Sequence, residues 1–198
     1  MAKYITLEEF YALIDAAAKE SGTFTVAIDG GSGSGKTTLA REIEKRHPQY
    51  VTVFHMDDFY LRKEQRREER YKEPGGNVDR ERFLEEVLKP ISKGEASEVL
   101  YRPIDCRDFS ISDGIMVKVN RIRIVEGAYS HHPYLRDYYD LRVFLDIDKE
   151  LQRERIKKRN TPQEQERFFS RWIPFEDTYF NHFDIKEKSD VVILVEEI

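Results

Sequence analysis

Apolar and polar positions follow two different rhythms along this chain. Leu7, Phe10, Tyr11, Ile14 and Ala18 recur at helical spacing behind the capping box Thr6-Leu7-Glu8-Glu9, and Ser21-Gly22 stop the pattern. Elsewhere the apolar residues form short unbroken runs, at 24–28, 51–54, 122–125, 141–147 and 191–195. Runs of this length, rich in Val, Ile and Phe, predict buried strands. Helices are predicted between them over 38–46, over 80–89 behind Asp79 as a cap, and over 149–159. The charge-dense stretch 62–72 reads as a solvated helix or loop, and 99–101 with 115–119 as a small β excursion around Asp113-Gly114. Alternating strands and helices predict an α/β domain with a parallel sheet, whose ligands bind at the carboxyl ends of the strands.

Length and charge narrow the picture. The chain has 198 residues, enough for one well-buried core, so a single domain over 1–198 is expected. The net charge of −5 gives no basic excess for a nucleic-acid backbone. Cys106 is the only cysteine, so an internal disulfide is excluded, and the thiol reads as a packing or bystander residue. The first residues lack the apolar core of a signal peptide, and no apolar run spans a bilayer. A cytoplasmic protein with no membrane partner is expected, and a homo-oligomer is compatible with these features.

The most specific chemistry lies between the first predicted strand and the helix after it. Gly30-Gly31-Ser32-Gly33-Ser34-Gly35-Lys36-Thr37-Thr38 contains the pattern G-x-x-x-x-G-K-[ST]. Glycines let backbone N–H groups wrap phosphates, the lysine carries a cation to the outer phosphates, and the Thr37 hydroxyl reaches Mg²⁺. The helix N-terminus that follows favours the anion. Residues Gly31 to Thr38 are therefore expected to hold ATP with Mg²⁺, in a P-loop NTPase-type parallel sheet flanked by helices.

Bound phosphates and Mg²⁺ call for carboxylates, and three stand at predicted strand ends: Asp57, Asp58 and Glu126. Asp57 is expected to accept the proton of an attacking hydroxyl and to lie near the metal, with Glu126 and Thr37 as metal ligands. Charge growing on a transferred phosphoryl group needs cations from an element that closes. Arg155 and Arg159, one turn apart on the predicted helix, and the polar stretch beyond it suggest a helical lid over about 153–170.

Together these residues resemble the uridine kinase and phosphoribulokinase-like group of P-loop kinases over nearly the whole chain. The phosphate loop resembles that group's version, and Asp57-Asp58-Phe59-Tyr60 its D-S-[FY]-Y segment, whose first aspartate is the catalytic base. Asn77-Val78-Asp79 is similar to its N-F-D, which implies that Asp79 grips ribose hydroxyls. Glu126-Gly127-Ala128 is similar to its E-G-[IL], with the glutamate near Mg²⁺. Arg155 and Arg159 fall where its lid carries arginines, and 188–193 resembles its closing K-x-A-D-V-I-I strand.

The resemblance implies a kinase of a small hydroxyl compound, with uridine or cytidine the first acceptor and Tyr60, Asp79, Tyr101 and Asp105 lining the acceptor pocket. Two departures bear on that acceptor. Pro103-Ile104-Asp105-Cys106-Arg107-Asp108-Phe109 stands where the family has P-x-Y-D and a nearby histidine for the pyrimidine, and Ile156 replaces a lid arginine. Pantothenate, nicotinamide riboside, a sugar or glycerate are the alternative acceptors. A non-catalytic nucleotide-binding regulator and a partner-gated NTPase are the alternatives outside this class.

Overall fold

The computed structural model describes residues 2–92, 96–105 and 107–196, so Cys106 lies outside the described residues. Its centre is a six-stranded, all-parallel sheet in the order β1-β8-β7-β2-β6-β3. The strands are β1 (Lys3–Tyr4), β2 (Phe24–Gly30), β3 (Val51–His55), β6 (Ile122–Glu126), β7 (Leu141–Ile147) and β8 (Val191–Val195), while β4 (Glu98–Tyr101) and β5 (Ile115–Lys118) form a separate antiparallel hairpin. The helices are α1 (Leu7–Ala17), α2 (Lys36–Arg46), α3 (Glu68–Lys72), α4 (Arg80–Phe83), α5 (Lys89–Ser92), α6 (Lys149–Arg159), α7 (Pro162–Arg167) and α8 (Ile173–Phe183). Two π-helical turns, Leu84–Leu88 and Phe168–Trp172, join α4 to α5 and α7 to α8.

Strand alternation sorts the core onto the two faces of the sheet. Val26, Ile28, Ile124, Val143 and Leu145 pack with Phe10 and Ile14 of α1 and Leu39 and Ile43 of α2. Val125, Phe144 and Val192, one residue out of phase, pack with Phe83, Val87 and Tyr179 on the opposite face. Both faces are covered, as a parallel sheet requires. Among the described residues no helix is long and apolar enough to cross a membrane.

The predicted elements are present with small shifts. The capping box at Thr6 and Glu9 forms. Helix α2 begins at Lys36, two residues before the expected start, because the phosphate loop turns straight into it. Residues 62–72 are more ordered than a solvated loop: Arg70 donates to the carbonyls of Gly76 and Val78 and pairs with Glu81. The β excursion does not turn tightly at Asp113-Gly114, since Ile104 bridges to Ile111 inside the connection. Helix α8 and the two-residue β1 had no counterpart among the expected elements.

Candidate active site

Register brings the functional residues to one end of the sheet. Glu126 ends β6 and is paired in register with Ile28 of β2 on one side and His55 of β3 on the other. The phosphate loop leaves β2 and the segment Met56–Phe59 leaves β3, so loop, Glu126 and Asp57 all lie at neighbouring carboxyl ends. This is where ligands bind in open α/β sheets.

The loop is shaped by close backbone approach. Gly30 has φ +147°, and a Cβ there would stand 2.5 Å from the Leu145 carbonyl oxygen. A Cβ on Gly31 would stand 2.6 Å from the Gln152 amide nitrogen. Gly35 caps α2 in the left-handed conformation with no side-chain hydrogen bond, leaving the helix's first N–H groups to the loop side. Lys36 is buried, and its amine donates to the carbonyls of Gly30 (2.8 Å) and Gly31 (3.1 Å). Ser34 Oγ is buried without a partner among the described residues.

Three side chains link the strand ends. Thr37 Oγ1 donates to Glu126, 3.1 Å from Oε1 and 3.2 Å from Oε2. His55 Nδ1 lies 2.6 Å from Glu126 Oε1, and this hydrogen bond raises the His55 pKa. Hydroxyl and carboxylate oxygens are the donors Mg²⁺ accepts, and it commonly needs only one or two carboxylates besides phosphate and water. The pair Thr37 and Glu126 fits that requirement.

Asp57 is exposed at the surface, yet protein crowds around its carboxylate. That desolvation raises its pKa, Glu126 and Asp58 add to the rise, and Lys36 and a hydrogen bond from Tyr60 oppose it. The Tyr60 hydroxyl donates to Asp57 Oδ1 at 3.2 Å. Asp58 turns the other way, accepting from the Tyr101 hydroxyl at 2.8 Å, and thereby ties the hairpin to β3.

Residues 59–61 and 77–79 zip together through a bridge between Tyr60 and Val78 and a bond from the Asp79 N–H to the Phe59 carbonyl. Asp79 is buried, and its Oδ1 caps α4 while Oδ2 has no hydrogen-bond partner among the described residues. A cleft of about 490 Å³ opens beside it, lined by Arg62, Arg82 and Arg102 among others.

Not every expected pocket residue reaches that cleft. Tyr101 is buried with its hydroxyl on Asp58 and the His55 backbone, and Asp105 pairs with Arg107, which holds its carboxyl down at about 2. Neither lines the cleft. Arg155 donates to the Gly33 carbonyl at 3.3 Å, behind the loop, and Arg159 lies over the Phe168 ring. Ile156 is buried and stands 3.7 Å from the Cβ position of Gly33, so an apolar residue there packs the lid helix onto the loop.

Sequence reasoning missed Glu176. This buried glutamate of α8 accepts from the Ser32 N–H at 2.8 Å and from its hydroxyl at 2.5 Å. Pro174 at the start of α8 followed by an acid in the first turn was the available signal.

A parallel sheet with a lysine-bearing glycine loop at its carboxyl edge defines the P-loop nucleotide-binding class. Comparison with known proteins gives the family. A family model described as an AAA domain matches residues 26–177. A protein named uridine kinase from Staphylococcus aureus is 33% identical over 153 residues, covering 73% of this chain and 70% of its own length. The chain belongs to the uridine kinase family of P-loop small-molecule kinases. Solved structures share the fold: one described as a "possible uridine kinase" from Bacillus stearothermophilus aligns with a TM-score of 0.66 at 23% identity, covering 93% of this chain and 99% of that one. A D-glycerate 3-kinase from Cryptococcus neoformans also gives 0.66, at 15% identity and 95% coverage of both chains.

Proposed function

We propose that the protein transfers the γ-phosphoryl group of ATP to a hydroxyl of a small metabolite, with uridine or cytidine the first acceptor to test. The observation that carries this reading is the convergence of Lys36, the Thr37–Glu126 pair and the Tyr60–Asp57 pair at neighbouring strand ends. A cradle that only senses nucleotide has no use for a carboxylate poised at its mouth.

Each group has a task in this reading. Gly31 to Thr38 cradle the phosphates with backbone N–H groups, and Lys36 exchanges its carbonyl partners for phosphate oxygens. Thr37 and Glu126, with Asp57 alongside, would hold Mg²⁺, which neutralises phosphate charge when bound. Asp57 takes the acceptor's proton and aims its oxygen, while Tyr60 fixes the carboxylate's orientation. Asp79 Oδ2, which stands 3.9 Å from the Nε atoms of Arg62 and Arg82 without a hydrogen bond to either, accepts from a hydroxyl of the acceptor. Arg155 and Arg159 sit on the lid helix and reach the transferred group only if the lid changes the partners they hold now.

A second acceptor class, a sugar or glycerate, is favoured by the cleft beside Asp79. Among the described residues, eight of the nine that line it are charged or polar, the ninth is Ile111, and none is aromatic. The deciding experiment incubates the protein with ATP·Mg²⁺ and a pool of nucleosides, pantothenate, sugars and glycerate, then identifies by mass spectrometry which compound gains a phosphate. ATP binding with no phosphorylated product across the pool would contradict the kinase reading and favour a regulator.

A further inference from the structure

Glu176 is a buried carboxylate with no task in the transfer described above. It lies on the phosphate loop, bonded to both donors of Ser32. Burial raises its pKa and Asp57 adds to the rise, while Lys36 and the Ser32 hydrogen bonds oppose it only in part. A negative group beside a loop that must receive phosphates opposes them, and burying it is costly. A purely structural tie to Ser32 could use an uncharged side chain.

The rest of helix α8 shows what such a contact could transmit. One turn before Glu176, Trp172 ends the π-helical turn, and its ring stands 6.4 Å from that of Tyr60, the residue bonded to Asp57. One turn after it, the Tyr179 hydroxyl donates to Asp29 Oδ2 at 2.9 Å, and Asp29 Oδ1 accepts the Gly30 N–H at 2.7 Å. Gln152 of α6 closes Ser32 from another side, donating to its carbonyl at 2.9 Å. One helix face therefore touches both the donor loop and the acceptor side.

We infer that Glu176 is a positioning residue that couples occupancy of the phosphate loop, through α8, to Trp172 and the Tyr60–Asp57 pair. The inference rests on the kinase reading. Incoming phosphates compete with Glu176 for the field of Lys36 and press on the Ser32 contact, so α8 must respond. By linkage, whatever factor the nucleotide exerts on acceptor affinity, the acceptor exerts on nucleotide affinity.

Trp172 is the chain's only tryptophan and reports the response directly. The full chain is titrated with ATP·Mg²⁺ while its tryptophan emission is followed, and ATP binding is measured separately by calorimetry. Wild type should show a saturable emission change whose midpoint matches the calorimetric dissociation constant. Glu176→Ala should still bind ATP, with an affinity changed by no more than the roughly 5- to 150-fold span of such couplings, and lose the emission change. Glu176→Gln keeps an oxygen for the Ser32 N–H and should restore part of it. With an acceptor in hand, kcat of Glu176→Ala should fall more than its KM for ATP rises.

The inference is overturned if wild type binds ATP with no emission change, or if Glu176→Ala responds like wild type. Should Glu176→Ala fail to fold, Ser32→Ala and Glu176→Gln decide: smaller emission changes support the coupling, and wild-type amplitudes in both refute it. Absence of calorimetric ATP binding in wild type contradicts the kinase reading itself, before any variant is made.

Discussion

Thr37 and Glu126 meet at 3.1 Å although they lie 89 residues apart in sequence. The contact exists because β6 pairs beside β2, placing the end of one strand against the helix that follows the other. His55 fixes the same carboxylate from β3. Partners that orient a metal ligand typically contribute roughly 10- to 100-fold in metal affinity or activity. On the proposed roles, His55→Ala should raise the Mg²⁺ concentration for half-maximal activity by about that factor, and Glu126→Gln by at least as much. A Mg²⁺ titration of ATP-dependent turnover checks both, and excess chelator should abolish turnover.

Gly31→Ala tests the packing of the loop. The added methyl would stand 2.6 Å from the Gln152 amide nitrogen, which can retreat only by giving up its bond to the Ser32 carbonyl. Losing one such bond costs about 1 kcal/mol. The variant should unfold a few degrees lower and bind ATP more weakly, as thermal unfolding and calorimetry would show. Gly33→Ala differs, because its cost comes from φ +83° rather than from crowding, the nearest atom being 3.6 Å away.

Acid should weaken the fold through His132. This buried ring stacks on Tyr179, and burial, with Arg80 and Arg70 adding to it, lowers its pKa to about 4. The unfolded chain titrates near the ordinary value of 6.5. Below that pH the unfolded state takes up a proton that the folded state refuses. Stability is therefore full above pH 6.5 and declines as the pH falls towards 4, by about 3 kcal/mol for this group. His131, whose pKa burial also lowers, acts in the same direction. Urea unfolding at pH 7.5 and pH 5 should show the loss, and His132→Phe should reduce the difference.

The strands and the loop were legible in the sequence because each rests on a local signal. Unbroken apolar runs marked β2, β3, β6, β7 and β8, and acids at the end of β6 and just past the end of β3 marked Glu126 and Asp57. Side-chain direction was less legible. Tyr101 looked like a pocket residue, yet it shares the buried side of β4 with Val99, and that phase aims its ring at Phe54 and Phe59. Helix α8 escaped because aromatic residues cover 168–180 without a clear period and Pro174 reads as a breaker, although a proline in the first turn is tolerated. Glu176 was hidden with it. Its contact with Ser32 spans 144 residues and leaves no local trace.

Asp57→Asn tests the central claim most directly, because the amide keeps the shape of the side chain and removes its ability to take a proton. The measurement compares product formation at saturating ATP·Mg²⁺ and acceptor, with ATP affinity determined alongside. ATP affinity close to wild type with turnover reduced roughly 100- to 10,000-fold is the expected result. Turnover of Asp57→Asn equal to wild type would contradict the assignment of Asp57 as the base and, with it, the proposed mechanism of transfer.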